Sequence, residues 1–151
     1  MKIANFIGLY LLLSVSGMFP AVTCAQSRPA TNVVMVKVGE DYRAVQLHIP
    51  DSYDGTSPLP LVFNLHGSRS TAERQELLSG MFAVADEKQF LVAGGMATYE
   101  YPPGRRTWNA DLDPDGVRDV DYIRAAIEAV NKMTTVDRNR ITSLACQAVG
   151  E

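Results

Sequence analysis

The sequence predicts a layered α/β fold with a parallel sheet, and two observations carry that prediction. Short, nearly all-apolar runs at Leu61–Leu65 and Phe90–Ala93 alternate with longer stretches of helical spacing, and a further strand is expected at Ile141. Strand, helix, strand, helix, strand is the order that builds βαβ units and a parallel sheet. The runs are also apolar at almost every position rather than at every second one, which suits strands covered on both faces. A chain of 151 residues holds at most one domain. With 46% hydrophobic and 21% charged residues its composition is that of an ordinary globular protein. A net charge of −3 supplies no electrostatic reason for a nucleic-acid partner or an anionic membrane.

The first 25 residues are expected to stand outside the fold. Lys2 is a positive n-region, Ile3 to Val15 is apolar apart from Asn5 and Ser14, and small residues follow at Thr23-Cys24-Ala25. That order reads as a secretory signal peptide cut after Ala25, with a secreted destination, extracellular or periplasmic, and no membrane association after cleavage. The apolar core is short for a membrane span. Cys24 as a lipidated cysteine is the alternative, but Ala21-Val22-Thr23 is a poor approach to such a site. Of two cysteines one lies in this segment, so no disulfide is expected within the domain.

From there the elements follow in order. Val33–Val38 and Tyr42–Ile49 are β-rich runs joined by Gly39-Glu40-Asp41, a hairpin pattern. Pro50 to Pro60, rich in Pro, Ser, Asp and Gly, is a surface loop. After the Leu61–Leu65 strand, residues from about Thr71 to Lys88 place Leu77, Leu78, Met81, Phe82, Val84 and Ala85 near helical spacing. The strand at Phe90–Ala93 is expected to end at Gly94-Gly95, and a long polar loop to run from Thr98 to Gly116. Val120, Ile123, Ala126, Ile127 and Val130 mark an amphipathic helix, with Asp119 and Asp121 well placed against its N-terminal dipole.

Three stretches carry candidate chemistry. His66-Gly67-Ser68 directly follows a buried strand, where glycine lets the backbone turn sharply and present N–H groups to a developing negative charge; the plain alternative is a strand that ends in His-Gly. Asp111-Leu112-Asp113-Pro114-Asp115-Gly116 has the alternating carboxylates and sixth-position glycine of a calcium loop. Its twelfth position is Tyr122, not a bidentate Glu, and an acidic turn leading into a helix explains it better. Trp108-Asn109, in the polar loop, reads either as a cap over the core or as a candidate substrate loop. His48 falls within a strand pattern and reads as structural. Two histidines and two cysteines offer no metal-ligand spacing, and no metal or other cofactor is expected.

Taken together these stretches resemble the secreted α/β-hydrolase esterases that include polyhydroxybutyrate depolymerases and feruloyl esterases. The resemblance runs through Pro58–Gly67, Ala85–Val92, Thr107–Ala110, Asp119–Ile123 and Val136–Ile141, in order, over roughly residues 40 to 141. It implies the N-terminal half of an α/β-hydrolase domain over residues 26–141, with an N-terminal hairpin followed by parallel strands and flanking helices. It also implies serine acyl transfer on an ester substrate (a polyester, a feruloylated polysaccharide or a small ester), with backbone amides at His66, Gly67 and Ser68 as part of the oxyanion hole. The triad acid and histidine are expected beyond residue 151. His48 and His66 precede the nucleophile and do not fit the chain order serine, acid, histidine.

Residues 142–151 depart from that pattern. The resemblance implies a Gly-x-Ser-x-Gly elbow with its serine where Gln147 stands. Codons from the last base of Ile141 onward, read one base out of step, can encode Tyr-x-x-Gly-Met-Ser, then Ser or Gly, then Gly-Gly, with the serine at that same position. An out-of-frame tail and a catalytically inactive chain are therefore expected. The competing expectation is a non-enzymatic secreted α/β domain that binds a ligand or partner through the Thr98 to Gly116 loop.

Overall fold

A computed structural model describes residues 31–100, 106–109, 113–114 and 116–145. The segment 1–25 and Gln147 lie outside these residues, as do Asp111, Leu112 and Asp115 of the acidic turn. A five-stranded mixed sheet runs in the order β1-β2-β4-β3-β7. The strands are β1 (Asn32–Val38), β2 (Asp41–His48), β3 (Leu59–Leu65), β4 (Leu91–Gly95) and β7 (Val136–Ala145). β1 and β2 form the antiparallel hairpin that Gly39 turns at φ 63°. β2 lies antiparallel to β4, while β3 runs parallel to both β4 and β7. The predicted fold class is thus observed.

Two layers of helix cover the sheet. α3 (Asp119–Met133) buries Tyr122, Ala126 and Val130 against Leu59, Leu61 and Phe63 of β3, Leu91 and Ala93 of β4, and Val45 and Leu47 of β2. On the other face, α1 (Ala72–Ser79) and α2 (Met81–Lys88) pack over Val92 and Asn64. The two glycines of β4 show why the strand is pinched between layers. A Cβ at Gly94 would stand 3.1 Å from the Cβ of Ala72, and one at Gly95 would stand 3.0 Å from the Trp108 ring.

Several expectations change. The apolar stretch from Thr71 to Lys88 is two helices, because Gly80 takes the left-handed conformation at φ 59° and both ends one helix and starts the next. Leu77 and Leu78 are consequently exposed, while Gln75 is buried by its hydrogen bond to Asn64. β4 ends at Gly94-Gly95 as expected, and both glycines are paired within it, since pairing with both neighbours outweighs the low strand preference of glycine. The loop from Thr98 to Gly116 contains a small hairpin, β5 (Tyr99–Glu100) with β6 (Arg106–Thr107). In α3 the buried stripe is Tyr122, Ala126 and Val130, and Val120 is exposed.

β7 joins a charged stretch to the candidate tail. Leu59 pairs with Val136, but Leu61 pairs with Ile141, so Asp137–Arg140 bulge from the ladder. The bulge closes on itself through Arg140 Nε to Asp137 Oδ2 at 2.6 Å and Asn139 N to Asp137 Oδ1 at 3.0 Å. Regular pairing resumes at Ile141 and carries Thr142–Ala145 alongside Val62–Leu65. Strand geometry therefore extends four residues into the segment that departs from the family pattern.

Candidate active site

The chain leaves β3 at its carboxyl end, crosses to β4 on one side, and returns through α3 to β7 on the other. That makes the end of β3 a topological switch point, where two connections diverge and leave a crevice beyond the strand ends. Leu65 is in register with Gly95 on one side and Ala145 on the other. His66-Gly67-Ser68 emerges from that point.

His66 is fully buried, and its ring bridges two backbone groups. Nδ1 lies 2.8 Å from the carbonyl oxygen of Gly67, and Nε2 lies 3.1 Å from the amide N of Ala97. A carbonyl can only accept and an amide N–H can only donate, so these partners assign the neutral tautomer with the proton on Nδ1. With both nitrogens engaged, this imidazole shapes the loop and has no free nitrogen for a triad role. Trp108 Nε1 donates to the His66 carbonyl at 2.7 Å, and its ring stands 5.3 Å from the imidazole.

Beyond His66 the Gly67 carbonyl also accepts from Ser70 N at 3.3 Å, closing a four-residue turn with Arg69 in the left-handed region at φ 61°. Among the described residues, no hydrogen bond engages the N–H groups of Gly67 and Ser68. Such donors at the end of a central strand suit an oxyanion that forms in front of them.

A buried polar network supports this turn from below. Arg43 of β2 donates to Asp119 Oδ1 and to the Met96 carbonyl, both at 2.7 Å. Its guanidinium lies 3.8 Å above the Tyr122 ring and 5.8 Å from that of Trp108. The Tyr122 hydroxyl donates to the Ala44 carbonyl at 2.6 Å and accepts from Met96 N at 3.2 Å. Burial pushes this phenol above its ordinary range, against the opposing pull of Met96 N–H and Arg43, which keeps it protonated. Asn109 spends its amide locally: Nδ2 donates to the carbonyls of Asp113 and Val117, Oδ1 accepts from Asp113 N, and its own N–H donates to Asp119 Oδ2 at 2.6 Å.

Trp108 therefore sits half-buried against the core between His66 and Tyr122, and Asn109 braces the turn into α3. His48 lies toward the opposite end of the strands, paired with Val92 near the start of β4. Sequence reasoning passed over Arg43. Its position between apolar neighbours of a strand whose burial alternates was the available clue. Among the described residues no group of three His, Cys, Asp or Glu could hold a metal ion.

The sheet order, the crossing helices and the switch-point loop define the N-terminal half of an α/β-hydrolase fold. No protein-family profile matches the chain. NocK, a candidate esterase of Nocardia uniformis subsp. tsuyamanensis, is 32% identical over 108 residues, which is 68% of this chain and 30% of that protein. The native form of pOPH superposes with a TM-score of 0.58 at 15% identity, over 80% of this chain and 44% of that one. A CE1 ferulic acid esterase from Anaeromyces mucronatus, in complex with ferulic acid, superposes with a TM-score of 0.52 at 14% identity, over 78% and 48%. The chain thus spans under half of each of these proteins.

Proposed function

We propose that these residues form the N-terminal part of a secreted serine carboxylic ester hydrolase of the polyhydroxybutyrate depolymerase and feruloyl esterase kind. The observation that supports this best is the register of Leu65 with Ala145 at the switch point. It brings the amides after His66 to the strand end from which the residue at position 147 follows. In the proposed reaction a serine there attacks the ester carbonyl, and a histidine takes its proton and returns it to the leaving alcohol. Water then cleaves the acyl-serine to release the acid and restore the serine, and Gly67 and Ser68 amides stabilise the tetrahedral oxyanion. With Gln147 in that place the chain is catalytically inactive, and residues 142–151 are the elbow region read one base out of step.

Sequencing the gene through and beyond codon 151 tests the frame. The expected result is a shifted frame that supplies the Gly-x-Ser-x-Gly elbow, and then an acid and a histidine. An uninterrupted single frame with no elbow would refute it. Assays of the frame-restored protein on p-nitrophenyl and feruloyl esters test the chemistry, and protein N-terminal sequencing tests cleavage after Ala25.

The competing reading is a non-enzymatic binding domain. A cavity of about 720 Å³ between the β1–β2 turn, Thr98–Tyr99 and Gly116–Arg118 favours it. Failure of the frame-restored protein to hydrolyse any ester would leave that reading standing.

A further inference from the structure

Two residues other than glycine hold positive φ among the described residues, Arg69 at 61° and Gln89 at 59°. A side chain in this region costs on the order of 1 kcal/mol or more and persists where something compensates. At Gln89 the compensation is local. It is the C-cap of α2, its N–H reaches the Ala85 carbonyl at 2.8 Å, and its amide donates to Ser52 and Asp86. Arg69 has none of this. Its exposed side chain makes no hydrogen bond or ion pair with a described residue, although glycine would fit the backbone better. Arg43, Arg118, Arg124, Arg138 and Arg140 each pair with a carboxylate. Arg74, whose side chain also has no partner among the described residues, sits in ordinary helix on α1.

We infer that Arg69 is a specificity-determining residue that selects esters carrying a second, free carboxylate, such as half-esters of dicarboxylic acids. The inference rests on the esterase reading above. Arg69 directly follows the candidate oxyanion amides of Gly67 and Ser68, at the strand end where the connections diverge. Its guanidinium is always charged and offers a planar fork that matches a carboxylate in two parallel hydrogen bonds. Without a partner among the described residues, it is available to the substrate. An exposed pair contributes little, so the selection over a neutral isostere is about fivefold and weakens with salt.

The test uses this chain first. Backbone amide shifts of Ser68 and Arg69 are followed by NMR at low ionic strength while monomethyl succinate or methyl butyrate is added. Monomethyl succinate is expected to bind about fivefold tighter. Arg69→Gln and Arg69→Gly are expected to abolish that preference and Arg69→Lys to keep part of it. The glycine variant fits the turn, so loss of preference in it reports the guanidinium and not the backbone. Equal response to both esters, or a preference that survives Arg69→Gly, overturns the assignment.

Hydrolysis by the frame-restored protein then separates the two claims. Turnover with no anionic preference, unchanged in Arg69→Gln, overturns the role of Arg69 and keeps the esterase. Preferential binding with no hydrolysis of either ester overturns the esterase reading and the assignment of substrate class that rests on it.

Discussion

The chain's two histidines are both fully buried at the five-stranded sheet, yet they sit at opposite ends of its parallel strands and make opposite use of their rings. His48, near the start of β4, stacks on Phe82 with ring centroids 4.5 Å apart and bonds Asp86 through Nε2 at 2.8 Å. Its Nδ1 has no partner among the described residues. His66, at the carboxyl end of β3, leaves no nitrogen unused and has backbone on both sides. The first ties a helix to the sheet, with a carboxylate that water still reaches. The second sets the path of the chain where three strand ends meet. Burial alone does not distinguish glue from site architecture; the partner's identity and the end of the strands do.

Breaking the support beneath the His66 end should have the largest effect. Asp119→Ala leaves Arg43 buried with one counter-charge removed, and a loss of about 3 kcal/mol is expected in urea unfolding. His66→Phe comes next. The buried Ala97 N–H loses its acceptor, for a loss of about 2 kcal/mol. The matched change His48→Phe should cost under about 1 kcal/mol, since Asp86 turns to water and an unpaired buried nitrogen is removed. Equal losses at the two histidines would break the comparison. Arg69→Gly should move the other way and stabilise the fold by up to about 1 kcal/mol, by relieving positive φ.

The smallest effect concerns pH on the His48 side. Burial holds the Glu76 carboxyl above its ordinary 4.5, against the lowering pull of Phe82 N–H and His48. The folded state therefore binds this proton more tightly than the unfolded chain. The contribution is complete below the unfolded value and is lost as pH rises through the folded one. Urea midpoints from about pH 4 to 7 should fall more steeply in the native chain than in Glu76→Gln; parallel profiles would remove Glu76 as the cause.

Much of the fold was legible from apolar runs. Leu61–Leu65 and the hairpin lie within a residue or two of where the sequence puts them, because their pattern is local and continuous. The stretch around Leu77 and Leu78 misled. A helical spacing of leucines looks like a buried face, but Gly80 breaks the helix, and the polar pair Asn64 and Gln75 takes the buried side. The candidate site was half legible. His66-Gly67-Ser68 stood out by its place after a strand, whereas Arg43 looked like one charge among many. Asp119 looked like a helix-dipole residue, and its bond to Arg43 spans 76 positions of sequence.

What the sequence determined by itself is the succession of the sheet's five strands, the helix after Asp119 and the glycine-bearing turn after β3. Apolar periodicity and backbone freedom act over a few residues and need no partner to be read. Only the tertiary structure decided that β4 slots between β2 and β3 while β7 lies across from it. That order creates the switch point, turns Ala145 into a neighbour of Leu65, and buries Arg43 between Asp119, Tyr122 and Trp108. Those partnerships join residues far apart in the chain, and each exists only once the strands have chosen their neighbours.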